Sequence, residues 1–239
     1  MMGSVRHMAR NRLALLLTGC VALLLPAALN AAACGQVKPD AQDALIAAPG
    51  NHKVVLENDR VRVLEATVPA HTKEPAHTHV WPGVLIGYSD GKVSWSEAGP
   101  RKVNDNNTGE AIHEIRVELK TFDCPLSTDV RLPPTDGIII KDPTLDLALE
   151  NKYVRVLKIT IKPGGREPLH THSWPSVVVY PTLPQSRRFT SDGKPPSERP
   201  EIKGLQVTFD STAQPLHGVD NLGTRNYVAY RVELKPIKP

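Results

Sequence analysis

The feature that most constrains this chain is a repeat. Residues 56–87 and 149–180 align without a gap at a shift of 93 positions, and 16 of the 32 aligned positions are identical. Chance would give about 2 at average residue usage. The first copy runs from L-E-N-D-R-V-R-V-L to E-P-A-H-T-H-V-W-P-G-V, the second from L-E-N-K-Y-V-R-V-L to E-P-L-H-T-H-S-W-P-S-V. The match extends upstream, where D-A-L-I at 43–46 aligns with D-G-I-I at 136–139. A duplicated unit sets the architecture before any single element is assigned.

Within each copy the apolar pattern is that of strands. Val61 and Val63, like Val154 and Val156, are β-branched and alternate with Arg62 and Arg155. That period of two predicts strands whose arginines point to solvent. Asp90-Gly91 marks a hairpin, turn signals recur every 8–12 residues, and no stretch carries a 3.6-residue period. Strands are expected at 53–57, 61–68, 77–79, 83–88, 92–95 and 112–122, and again at 153–161, 170–172 and 177–180, with 99–109 a loop. The closing segments I-R-V-E-L-K and Y-R-V-E-L-K match, with Asn107 aligned to Asn221. The fold class is all-β, sandwich or barrel-like, in two copies. Residues 184–200 of the second copy are a basic, Pro-rich insertion. It reads as a solvated loop, or alternatively as a lid presenting Arg187 and Arg188 to an anionic ligand.

The first 33 residues carry Arg6, Arg10 and Arg12, an apolar run from Leu13 to Leu29 and small residues at 31–33. This is the pattern of a secretory signal peptide. A membrane anchor is the alternative, which Pro26 and the short run disfavour. The expected organisation is therefore a signal peptide at 1–33, a first domain at 34–140 and a second at 141–239, in an exported, periplasmic protein. The formal net charge is +4; the three leader arginines supply most of it, leaving about +1 on the remainder. Nothing here favours a nucleic-acid surface. Cys34 and Cys124 are the cysteines left once Cys20 departs with the leader, and in an oxidising compartment they can pair. A lipid on Cys34 or Cys20 is the competing use. Expected partners are a small-molecule ligand, no nucleic acid, and no membrane unless such a lipid is attached, in a monomer or homodimer.

The identities richest in chemistry are Glu74, Pro75, His77, Thr78, His79, Trp81 and Pro82, with Glu167, Pro168, His170, Thr171, His172, Trp174 and Pro175 as partners. Two histidines at i and i+2 on a strand project from one face and set two imidazoles side by side. On a regular strand Glu74 and Glu167 point to the opposite face, unless a turn or bulge at the following proline brings them round. Trp81 and Trp174 share the histidine face, either filling the interior or walling a small apolar pocket.

These residues resemble the cupin superfamily, specifically its duplicated members, the bicupins. The resemblance spans both halves and implies two tandem jelly-roll-type β-barrel domains. Gly164, His170 and His172 match the opening of the first cupin motif, G-x5-H-x-H; in the first copy His71 stands at the glycine position while His77 and His79 match. The glutamate expected after H-x-H is missing from both copies. The second motif centres on a third histidine, and His217, followed by Asn221, stands at that place. The first copy has Lys102 there, and His113 lies on the closing strand, read as structural.

The resemblance therefore implies a divalent metal ion of unassigned identity, held by His170, His172 and His217, with His77 and His79 as secondary candidates. About one metal per chain is expected. Three imidazoles leave a position open for water or substrate, but do not choose among Fe, Mn, Ni, Cu and Zn. The implied chemistry is that of a metal-dependent oxygenase or an isomerase or lyase; the alternative is a non-catalytic periplasmic ligand-binding cupin without metal.

Overall fold

The computed structural model describes Cys34 and residues 37–100 and 105–238. The signal-peptide reading of residues 1–33, with Cys20, and the reading of Lys102 lie outside the described residues. A short helix, α1 (Ala44–Ala47), precedes eighteen strands among the described residues. The first half carries β1 (His52–Glu57), β2 (Val61–Val68), β3 (Thr72–Lys73), β4 (Thr78–His79), β5 (Gly83–Gly87), β6 (Val93–Ser96), β7 (Gly99–Pro100), β8 (Asp105–Asn106) and β9 (Ile112–Leu119). The second carries β10 (Leu145–Glu150), β11 (Val154–Ile161), β12 (His170–His172), β13 (Ser176–Tyr180), β14 (Ser186–Thr190), β15 (Ser197–Arg199), β16 (Gln206–Asp210), β17 (Gln214–Asn221) and β18 (Tyr227–Leu234).

Each half is built on an antiparallel five-stranded sheet, in the orders β1-β2-β9-β5-β6 and β10-β11-β18-β13-β16. The registers are equivalent. Val61 faces Leu119 as Val154 faces Leu234, and both edge strands slip by one residue at the same place, after Val54 and after Leu147. Opposite this sheet the second half has β12-β17-β14-β15, whereas the first has the two-stranded ladders β3-β8 and β4-β7. The result is a tandem pair of jelly-roll-type β-barrels.

The two five-stranded sheets share one core. Val61, Val63, Val84, Ile86 and Val117 of the first half cluster with Val154, Val156, Val177, Val179 and Val232 of the second. The other face of the second sheet lines its own interior through Leu157, Ile159, Ile161, Val178 and Ala229. Both faces are thus buried, and this corrects the reading of the alternating arginines. Arg62 and Arg155 are each 2% exposed, because solvent lies on neither side of their strands. Period two distinguishes the faces of a strand but does not say that one of them is wet. Tyr88 also crosses between the halves, donating its hydroxyl to Pro181 O at 2.6 Å, and Trp95 stacks on Tyr153.

Three further sequence expectations are refined. The 184–200 insertion is a strand hairpin and not a loop throughout: β14 pairs with both β15 and β17, while the tip at 191–198 is solvent-exposed. The asparagine equivalent to Asn221 is Asn106, not Asn107. Asn106 Nδ2 donates to Val68 O and Glu110 O, and Asn221 Nδ2 to the corresponding Ile161 O and Arg225 O. Within the expected loop at 99–109, β7 and β8 form short pairings. Cys34 and Cys124 form a disulfide, so the Cys34 sulfur is not available for a lipid. Among the described residues no helix is long and apolar enough to cross a membrane.

Candidate metal centres

The histidine pairs lie where the sheets open. Residues 74–77 and 167–169 are outside any strand, each stretch carrying a proline, and the chain turns into β4 and β12 only after them. Alternation therefore does not apply to Glu74 and Glu167. Both are buried and line the same cavities as the histidines, Glu167 Oε1 lying 3.9 Å from His170 Nε2. The turn positions leading to them are left-handed in both halves, with φ 71° at Gly164 and φ 55° at His71. A glycine takes that conformation without strain; His71 takes it at some energetic cost.

In the second half the structure brings together His170, His172 and His217, with ligand atoms all within 4.8 Å of one another and the rings buried. The barrel achieves this by pairing β12 with β17, His170 directly opposite His217. The ring nitrogens are oriented from behind. Nδ1 of His170 faces Pro168 O, Nδ1 of His172 faces Glu233 Oε1 at 2.9 Å, and Nδ1 of His217 faces Pro215 O at 2.7 Å. An acceptor at each Nδ1 places the proton there and leaves Nε2 as a lone pair. Nε2 of His170 and of His172 then stand 3.0 Å apart. In the neutral rings two lone pairs at that distance repel; a proton on His170 turns the contact into a hydrogen bond, and one ion bound by both nitrogens at ~2.0–2.1 Å also sets them at about this separation. The donor set fits a first-row divalent metal.

The first half repeats the pair but not the triad. His77 Nδ1 faces Pro75 O at 2.9 Å, His79 Nδ1 faces Glu118 Oε1 at 2.7 Å, and the two Nε2 atoms are 3.2 Å apart. The sequence comparison left this pair without a third histidine. The structure supplies one, His52, from the start of β1. At the corresponding position the second half has Leu145, so comparison of the repeats discards His52. His113 stays exposed on β9, its ring 3.2 Å from Thr67 Oγ1, and joins neither cluster.

Behind each pair runs a buried chain of charge. Asp43 accepts two hydrogen bonds from Arg62, Arg62 Nε donates to Glu118, and Glu118 takes His79. Asp136, Arg155, Glu233 and His172 repeat it. The guanidinium of Arg62 lies 4.6 Å from the Trp81 ring centroid, and that of Arg155 4.8 Å from Trp174, so the tryptophans fill the interior against cations. Every member of both chains is an identity of the repeat. A carboxylate behind a ligating histidine fixes its tautomer and raises its basicity.

The two chains differ in one partner. Burial alone would push the Glu118 carboxyl up, but hydrogen bonds with His79 and Arg62 and the charge of Arg116 hold it at about 2. Arg231, the counterpart of Arg116, turns instead to Ser176 and Asp210, and burial leaves Glu233 raised. Burial lowers His52 and His79 to about 4 and His217 to about 3, and holds His172 well below its ordinary value. Burial also acts on His170, but its hydrogen bond to Asp142 and the neighbouring Glu167 raise it. Glu167 is lifted by burial to about 7.

A cavity of about 290 Å³ adjoins the second triad. Its lining mixes apolar Ile159, Val178, Leu183 and Val219 with Arg188, Arg199 and Arg231; Val219 neighbours Arg188 across one sheet and Val178 neighbours Arg231 across the other, where Asp210 pairs with that arginine. Arg188 comes from the inserted hairpin, and its side-chain partner is Gln214 Oε1 at 3.3 Å. Burial and the neighbouring Arg199 push its pKa down. Arg187 points elsewhere, to Asp220 at 2.8 Å. The cavity of the first half, about 380 Å³, is lined instead by Glu74, Glu114 and Arg116 beside its histidines.

Fold and site together give two jelly-roll-type halves with a histidine cluster in each. No family model matches the sequence, and no curated protein is significantly similar to it. Among solved structures the chain is similar to a cupin domain from Bordetella pertussis Tohama I, at 25% identity over 38% of this chain and 91% of that one, TM-score 0.33. It is also similar to the salicylate 1,2-dioxygenase of Pseudoaminobacter salicylatoxidans, at 9% identity over 73% and 71% of the two chains, TM-score 0.46. An oxalate decarboxylase of Bacillus subtilis is similar at 13% identity over 78% and 72%, TM-score 0.48.

Proposed function

We propose that the second half is a metal-dependent catalytic site for a small organic acid, in an exported protein. The observation that carries this reading is the cavity beside His170, His172 and His217, whose lining combines arginines with apolar side chains. A divalent ion held by the three imidazoles supplies Lewis acidity and an open coordination position. Arg188 and Arg199 are placed to take a carboxylate by charge-assisted hydrogen bonds. Ile159, Val178, Leu183 and Val219 enclose the apolar body and exclude water. Glu167 contributes a carboxyl group beside His170.

Export is supported by the disulfide between Cys34 and Cys124, since such bonds persist in oxidising compartments, and by the leader pattern at 1–33.

The test is metal content of untagged protein purified from its native compartment, followed by turnover, with and without dioxygen, of a panel of small aliphatic and aromatic carboxylates. Arg188→Ala should weaken carboxylate binding about 10–100-fold, the loss of one hydrogen bond to a charged group, and leave metal content unchanged. Equal affinity in the variant, or a preference for neutral or cationic ligands, would overturn the assignment.

A further inference from the structure

We infer that the first half is a second metal centre of different composition, its third imidazole supplied by His52 of β1 together with the carboxylate of Glu74. His52 lies outside both motifs of the repeat, and its place is fixed by the local fold. Asp43 caps α1 by accepting from Leu45 N, Ala48 follows as its C-cap, and Ala48 O faces His52 Nδ1 at 3.3 Å. That contact does for His52 what Pro75 O does for His77 and Glu118 does for His79, so all three rings turn Nε2 away from their supports.

The ring centroids of His52 lie 4.7 Å from His77 and 5.4 Å from His79, and the three ligand nitrogens are all within 4.8 Å of one another. His52 Nε2 is 3.5 Å from Glu74 Oε1. The four side chains are 7%, 4%, 3% and 4% exposed for His52, His77, His79 and Glu74. For a neutral imidazole, a lone pair facing a carboxylate oxygen and a second facing another ring are repulsive contacts in a buried place. A divalent cation between them converts each into a bond. Three nitrogens and one carboxylate oxygen suit zinc or another first-row divalent ion.

The third imidazole of the second half comes from β17, on the four-stranded sheet, whereas His52 sits on the edge strand of the five-stranded sheet. The first ion thus lies toward β1 and the second toward β17. The carboxylate neighbours differ as well, since Asp142, 3.3 Å from His170 Nδ1, has Pro49 at its repeat position.

The experiment uses untagged metal-free protein titrated with Co(II), read by the ligand-field absorption of the bound ion and by elemental analysis after gel filtration. Wild type is expected to take two equivalents and a His170→Ala/His172→Ala variant one. Adding His52→Leu, which installs the residue of the other repeat, should lower the remaining affinity by more than about 100-fold, beyond the loss typical of an outer-shell change. Retention of that equivalent with unchanged affinity would overturn the inference. X-ray absorption on the His170→Ala/His172→Ala protein loaded with Co(II) needs no change in the first half. Three imidazoles and an oxygen ligand are expected, and two imidazoles or none would refute the inference. Because the second half is disabled throughout, failure here is separate from failure of the catalytic reading, which is tested on wild type.

Discussion

Replacing Arg155 by methionine tests the buried charge chain on which the second centre rests. The arginine is 2% exposed, donates to both Asp136 oxygens at 3.2 and 3.0 Å, and donates Nε to Glu233. Methionine keeps an unbranched apolar stem in place of the arginine's but leaves two buried carboxylates without a counter-charge. Breaking a buried pair in this way costs about 3–5 kcal/mol. For a chain of this size that corresponds to a fall in Tm of about 6–20 °C, measured by calorimetry or circular dichroism. The loss should deepen with pH. Without the guanidinium the folded-state pKa of Glu233, already raised by burial, rises further, so the variant loses stability as pH climbs from the range where the unfolded carboxylate ionises. A loss within about 1 kcal/mol, the range of exposed ion pairs, or one that shrinks toward pH 8, would refute the reasoning.

Two further outcomes follow from the same geometry. Glu233→Gln keeps the shape behind His172 but removes the charge, and should reduce metal affinity of the second site about 10–100-fold, measured by competition with a chromophoric chelator. Metal-free protein should lose stability as pH falls from about 6.5 to 4.5. His52, His79, His172 and His217 have folded pKa values below the unfolded value, so the unfolded chain takes up their protons first. Glu167, raised to about 7, and Glu233, also raised by burial, oppose this in that window but are outnumbered by the four histidines; His170, raised, contributes no slope below the unfolded histidine pKa. Chemical denaturation at pH 6.5, 5.5 and 4.5 should give a falling series, each unopposed histidine contributing up to about 1.4 kcal/mol per pH unit. A flat or rising series would contradict the neutral, buried state assigned to these rings.

Much of the architecture is legible in the sequence because duplication writes it twice. The 93-residue shift places the H-x-H pairs and their strands, and the histidine at the second-motif position, His217, comes to lie against His170 and His172. What the sequence conceals has identifiable causes. Arg62 and Arg155 read as solvent-facing because alternation cannot reveal that a second sheet covers the other face of each strand. Glu74 and Glu167 read as pointing away because the argument from period two assumes a strand, and the prolines at 75 and 168 interrupt it. Their neighbours Glu118, Glu233, Asp43 and Asp136 are visible as identities, but only the fold shows that they stand behind histidines. His52 is the hardest case. The repeat that illuminates everything else has leucine at the matching place, so asymmetry between copies, not similarity, is its signal.

The catalytic reading is tested most directly by anomalous diffraction at the absorption edge of whatever metal accompanies the protein from its native compartment. The account predicts a peak at bonding distance, ~2.0–2.2 Å, from Nε2 of His170, His172 and His217, with its remaining coordination directed into the cavity that Arg188 lines. A crystal of the same material with no anomalous peak among these three rings, and an organic ligand filling the cavity instead, would contradict it.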